Sequence, residues 1–240
     1  MKLSIMQPYL FPYIGYFQLF AASDIFVHFD NVQFIDKGWI NRNRLLHPSI
    51  KKKWQYITYP LANKSNNQPI YNITIDSKFD FFKNLYGKLS AFKKAPYYKE
   101  LLLILAEIES LTRDETHISN FNFLILNYFN NLFNLNCEII KVCDIDFDYS
   151  SINDPGDWAL MISNALGAET YINPINGRDI FNKELFKKLS INLKFLSTEF
   201  VTYSQYRGYF EPGLSIIDVL LWNGKQQTQD LIFNSYNLED

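Results

Sequence analysis

The chain opens on a short apolar run, KLSIM at 2–6, stopped by Pro8, which lacks the amide proton a ladder needs. After a loop to Pro12 the spacing predicts a helix over 13–22, and IFVHF at 25–29 predicts a second buried strand. Strand, loop, helix and strand in such close succession make a βαβ unit, which implies a parallel sheet with right-handed crossovers.

Further on, KKKWQYITYPL predicts a strand at 53–59, NKSNNQP a polar loop, and YNITI a short strand at 71–75. Three helical stretches follow at 79–93, 97–111 and 116–134, the middle one containing the apolar string LLLILAEI. The βα rhythm then resumes, with a strand at 137–143, a helix at 156–166, a strand at 168–173, a short helix at 182–189 and a strand at 192–196. Pro155 early and Gly167 late punctuate the first of these helices in the expected way, and Asn223-Gly224 predicts the end of a last helix over 214–222. The sum is a single α/β domain over 1–240, a Rossmann-like parallel sheet with 79–134 as a helical insertion. Sites in such sheets gather at the carboxyl ends of the strands.

Composition narrows the functional classes. With 240 residues the chain can bury a sizeable core, and 17% aromatic residues is a heavy load, most of it expected inside. The net charge of −2 offers no global basic field for a nucleic-acid backbone, so no nucleic-acid partner is expected. Cys137 and Cys143 are too few for a disulfide framework or a zinc site. The apolar stretch Tyr9 to Ser23 is too short and too interrupted by Pro12, Gly15 and Gln18 to span a bilayer. A cytoplasmic chain with no membrane span and no metal is the expectation; oligomeric state is left open. GxSxG, GxxxxGK[ST], GxGxxG and HExxH are all absent, which removes the easy hydrolase, P-loop, dinucleotide and zincin assignments.

The candidate chemistry therefore sits in weaker constellations. In MQPYLFPYIGYFQ two prolines stiffen the loop after the first strand, and Gly15 allows close backbone approach at a helix start, where phosphate or carboxylate is favoured. Gln7, Tyr13, Gly15 and Gln18 would shape that pocket; a Pro-rich turn over a Tyr/Phe core is the equal alternative. Past Asp30-Asn31-Val32-Gln33, the stretch GWINRNR, if extended, puts Asn41 and Asn43 on one face and Arg42 and Arg44 on the other. Two guanidiniums there would suit an anion, and Trp39 a base or sugar ring, or the arginines merely keep an edge soluble. Gln33 and Asn41 join the candidate binding set. His28, near the functional end of its strand, and Asp30 are candidates for proton removal, against a satisfied structural histidine. Asn173 and Arg178 follow a later strand, with Arg178 placed to grip an anionic group. Asp144, Asp146 and Asp148 read as a solvated strand face rather than a calcium loop, since Tyr149 stands where that loop needs glycine. The aromatic and basic loop of Tyr203, Tyr206, Arg207, Tyr209 and Phe210 either closes over a ligand or packs on the domain.

MQPYLFPYIGYFQLFAASDIFV, DNVQF, GWINRNR and EPGLSIIDVLLWNG together resemble the WbqC-like family, bacterial proteins found among surface-polysaccharide and O-antigen genes. The resemblance implies a nucleotide-linked sugar or other small-molecule substrate and suggests transfer of a glycyl or other acyl group to the amine of an amino sugar. It implies a transferase or an ATP-dependent amide-forming ligase, or else a non-catalytic binding module of the same pathway; the donor, ATP or an acyl thioester, is left open. The opening layout is also similar to nucleotidylyltransferase-like enzymes, but Tyr13, Gly15 and Tyr16 stand where those carry histidines, so adenylate formation does not follow.

Overall fold

The computed structural model describes every residue except Lys64, Asn66, Tyr149, Ser151, Asn153 and Arg207; the expectations placed on Tyr149 and Arg207 lie outside the described residues. Six strands form the main sheet: β1 (Lys2–Met6), β2 (Ile25–His28), β5 (Glu138–Lys141), β6 (Thr170–Pro174), β7 (Asn192–Thr198) and β8 (Tyr236–Glu239). Their order is β5-β2-β1-β6-β7-β8, parallel throughout except for β8, which runs antiparallel on β7. This is the expected Rossmann-like α/β architecture. A separate antiparallel hairpin pairs β3 (Arg42–Leu46) with β4 (Trp54–Thr58).

From β1 the chain works outward to β2 and β5, then returns to the other side of β1 to lay down β6 and β7. Reversing direction moves the crossover helices to the opposite face. Accordingly α1 (Ile14–Ala22) belongs to one core, with Phe26, Ile172 and Leu196 of the sheet. The helices α5 (Pro155–Ala165) and α6 (Lys183–Lys188) contribute to the other, with Leu3, Ile5, Val27 and Tyr171. Alternate strand residues feed alternate faces, which is why the strands read as near-continuous apolar runs.

All of α1 except Ala21 is buried. The sheet covers one side, and α4 (Ile118–Leu132) and α7 (Ile216–Asn234) share its core on the other. A helix enclosed on all sides needs no polar face, and FPYIGYFQLFAA has almost none. Much of the aromatic load is spent here, in edge contacts such as Phe17 with Phe129 at 5.4 Å and stacked contacts such as Phe129 with Phe133 at 5.7 Å. The helices α2 (Phe81–Leu89) and α3 (Tyr98–Leu111) contribute to the same core.

Three elements differ from the sequence pattern. YNITI forms no strand: Ile70–Asn72 is a 3₁₀ turn, and only isolated bridges, Leu61 with Ile75 and Thr74 with His117, follow it. The last helix does not end at Gly224. That residue takes φ 66° and ψ −178°, and the Tyr97 ring lies 2.5 Å from where a Cβ would stand. Helix resumes beyond it because the Glu100 carboxylate accepts from the Lys225 amide at 2.7 Å, capping the second half from α3. The terminal strand β8 was not anticipated.

The segment joining β1 to α1 is buried without regular structure, so its backbone groups need partners. Phe11 adopts φ 41°, unusual for a residue with a side chain. Asn43 donates from Nδ2 to the carbonyls of both Leu10 and Phe11 at 2.9 Å, while Ser215 Oγ donates to Phe11 at 2.7 Å. Asn122 donates to the Pro8 carbonyl at 3.0 Å, Tyr16 to that of Gln7 at 2.8 Å, and the Ile216 amide to that of Pro12 at 2.7 Å. Replacing Asn43 by Ala leaves the buried Leu10 carbonyl without its donor and removes one of the two that Phe11 accepts, and should cost about 2 kcal/mol of folding stability. Urea unfolding of Asn43→Ala measures this, and a loss below about 1 kcal/mol would refute the role.

Candidate functional site

The strand order reverses between β1 and β6, so their carboxyl ends flank a crevice that adjacent crossovers leave open. A cleft of about 590 Å³ occupies that place. Met6, Asn173 and Thr198 bring the ends of β1, β6 and β7 to it, Trp39 and Arg44 come from the hairpin side, and Phe200 and Gly213 from the loop before α7. The volume falls in the range of small-molecule sites.

The pinned turn at Leu10–Pro12 delivers Tyr9 and Tyr13 to the cleft wall. Burial pushes both phenols up, in Tyr13 against a hydrogen bond with Thr198, so both stay protonated and available as donors. Tyr13 begins α1, whose first turn has no side-chain cap and no acidic residue, leaving its positive dipole end uncompensated. Gly15 is required by packing: a Cβ would lie 2.4 Å from both Thr198 Oγ1 and the Tyr13 ring.

Arg44 is the one charged side chain lining the cleft among the described residues. Its backbone is held by Asn43 Oδ1 at 2.8 Å and by the Ser215 amide at 2.9 Å, and its Nη2 donates to the Gly213 carbonyl at 3.3 Å. The guanidinium carbon lies over the Trp39 ring at 5.2 Å and over the Trp54 ring at 5.3 Å. Trp39 thus stacks on an arginine, where the sequence had suggested a base or sugar.

Of the residues singled out from sequence, Tyr13, Trp39, Arg44 and Asn173 line the cleft and Gly15 backs it. Others are committed elsewhere. Gln18 is fully buried and donates to the Ser235 carbonyl at 2.9 Å, tying α1 to the end of α7. Asn41 donates to the Tyr59 carbonyl at 2.9 Å. Arg42 donates from Nε to Gly38 at 3.0 Å and from Nη2 to Lys37, with Tyr56 under it at 4.5 Å. Arg178 grips Glu239 at 3.1 Å and the Asp240 carbonyl at 3.0 Å, fastening β8. Gln7 is half-buried and Gln33 exposed; neither lines the cleft. Asn176, in the sequence stretch that carries Asn173 and Arg178, also lines it, as do two residues not singled out, Ser197 and Thr198. Applying the carboxyl-end rule to NLKFL would have found the last two.

His28 and Asp30 form a separate buried cluster. Ser119 Oγ donates to Asp30 Oδ2 at 2.5 Å and stands 2.8 Å from His28 Nε2. With the hydroxyl proton committed to Asp30, Nε2 is the protonated ring nitrogen and donates to Ser119, which leaves Nδ1 buried without a partner. Burial, with the Lys141 charge adding to it, lowers His28 to about 3, so the ring is neutral at physiological pH. Burial also raises Asp30, opposed by Ser119 and Lys141. With side chains 0% and 6% exposed, neither residue reaches the cleft as a base. This is a structural knot joining β2 to α4.

A third buried acid, Asp218 in the first turn of α7, accepts from the Leu46 amide at 3.3 Å, from Gln205 at 3.0 Å and from Tyr203 at 3.4 Å. It thereby ties the hairpin to the loop before α7. Sequence reading passed over it, although a carboxylate within SIIDVLLW was the visible signal.

These features define a Rossmann-like α/β protein with its candidate site at the topological switch point. The chain belongs to the WbqC-like protein family, whose model matches residues 7–230. A Mycobacterium tuberculosis (strain ATCC 25618 / H37Rv) protein, Rv1507c, itself described as uncharacterized, is 27% identical over 222 residues, covering 91% of this chain and 92% of its own. No solved structure matches significantly. Among the described residues no helix is long and apolar enough to cross a membrane.

Burial raises the Asp218 carboxyl from its ordinary 3.8 to about 6, against the hydrogen bonds it accepts. A carboxyl raised on folding contributes its full stability below the unfolded value and loses it as pH rises through the folded one. Wild type should therefore lose on the order of 2–3 kcal/mol relative to Asp218→Asn between about pH 4 and about pH 6. Denaturation curves for both proteins across that window test this, and a pH-independent difference would contradict it.

Proposed function

We propose that the protein binds a nucleotide-linked sugar in the switch-point cleft, serving bacterial surface-polysaccharide assembly in the cytoplasm as a binding component. The observation behind this reading is the company Arg44 keeps: one guanidinium in a cleft whose other polar groups are neutral phenols, amides and hydroxyls, set among apolar side chains such as Met6, Ile175, Leu196 and Phe200. Arg44 and the uncapped start of α1 suit phosphate. Tyr9, Tyr13, Asn176, Ser197 and Thr198 offer the neutral donors and acceptors that sugar hydroxyls require. The free thiols of Cys137 and Cys143, the latter exposed, fit a reducing compartment.

Acyl or aminoacyl transfer to the sugar amine demands a base, because an ammonium cannot attack a carbonyl. His28 and Asp30 are sealed in their own cluster, so binding ranks ahead of transfer, and neither ATP nor a thioester enters the reading.

Calorimetry against a panel of nucleotide sugars and amino sugars tests it. At least one should bind, Arg44→Ala should weaken binding by about tenfold to a hundredfold, and His28→Gln should leave affinity within about twofold. A wild-type protein that binds none of the panel would dispose of the proposal. A mass change in an amino sugar supplied with ATP or an acyl thioester would replace it with transfer.

A further inference from the structure

We infer that Arg44 is built as an edge-on receptor for an oxyanion, and that Trp54, which does not line the cleft, is the residue that orients it. The inference rests on the cleft's being the binding site proposed above and names the anionic contact made there.

The contrast between the two arginines of β3 carries the argument. They leave the strand on the same face, two residues apart, yet their donors are used differently. Arg42 has spent Nε and Nη2 on the carbonyls of Gly38 and Lys37. Arg44 gives Nη2 to Gly213, while its Nε is buried with no partner. A guanidinium has five N–H donors, and a buried one left unmade is costly.

The guanidinium carbon stands over the indoles of both Trp39 and Trp54. A guanidinium held against rings keeps its in-plane N–H edge for pairing with a phosphate or carboxylate. Trp54 sits on β4 diagonally across from Arg44, whose register partner is Tyr56. Gly213, at φ 67°, brings its carbonyl in on the other part of the fork. Holding the side chain this way removes ordering cost that a free arginine would incur on binding.

The test measures the affinity of wild type, Trp54→Leu, Trp54→Phe, Arg44→Ala and the Trp54→Leu/Arg44→Ala double variant for inorganic pyrophosphate, UDP and glucuronate, with melting curves to confirm folding. Wild type should bind at least one probe, pyrophosphate and UDP marking a phosphate ligand and glucuronate alone a carboxylate. Trp54→Leu should weaken binding about tenfold and Trp54→Phe should recover most of it, because a ring suffices to stack. In the Arg44→Ala background Trp54→Leu should have no further effect. Loss on Arg44→Ala with Trp54→Leu unchanged would overturn the inference and leave the cleft reading standing. An equal loss from Trp54→Leu with or without Arg44 would overturn it as a merely structural effect. Wild type binding none of the three overturns the inference, the nucleotide-sugar panel deciding the cleft reading separately, and glucuronate binding without UDP keeps the receptor while removing the nucleotide.

Discussion

A buried turn at Leu10–Phe11–Pro12 is the constraint around which the rest of the molecule is arranged. Its residues are fully buried, it has no ladder or helix to satisfy its carbonyls, and Phe11 holds a left-handed conformation. Such a segment is tolerated only if donors are delivered from outside it. They arrive from separate elements: Asn43 from β3 and Ser215 and Ile216 from the start of α7, while Asn122 from α4 and Tyr16 from α1 serve the Pro8 and Gln7 carbonyls just before the turn. Each bond spans a sequence gap that the fold must close, from nine residues for Tyr16 to 204 for Ser215. The loop at the switch point is thus also the place where the hairpin, α4 and the C-terminal helix are held to the sheet.

Electrostatics sort the polar interior into two kinds. His28, Asp30 and Asp218 are buried and displaced toward their neutral forms, as groups removed from water without a full counter-charge must be. Their hydrogen bonds join β2 to α4, and β3 to α7 with the preceding loop. Arg44 is different, because a guanidinium cannot shed its proton. It is a permanent charge with an unpaired buried donor in the wall of a cleft.

Much of the architecture was legible in the sequence because strand and helix periodicity is local. The βαβ opening, the parallel sheet and the helices between 79 and 134 all follow from it. The misreadings have nonlocal causes. YNITI has strand composition but no neighbouring strand to pair with, and Asn223-Gly224 is a true stop signal overridden by a cap from Glu100. At the site, placing chemistry in the first forty-four residues led to Tyr13, Trp39 and Arg44. It did not show that Arg44 and Gln18 donate to protein carbonyls, since their acceptors, Gly213 and Ser235, lie far along the chain. The structural use of His28 depends likewise on Ser119, invisible as its partner in the sequence.

Asn43 and Arg44 show why stability and binding are coupled here. They are adjacent on β3, and adjacent strand residues leave on opposite faces. Asn43 goes to the buried turn, and Arg44 therefore goes toward the indoles and the cleft. Pairing with β4 sets this register, Asn43 opposite Ile57 and Arg44 opposite Tyr56. A slip of one residue would aim the guanidinium at the Leu10 and Phe11 carbonyls and withdraw the only amide that satisfies both. The register that keeps the turn folded is the one that aims Arg44 at the cleft, so the hairpin cannot lose its place without the fold losing stability as well.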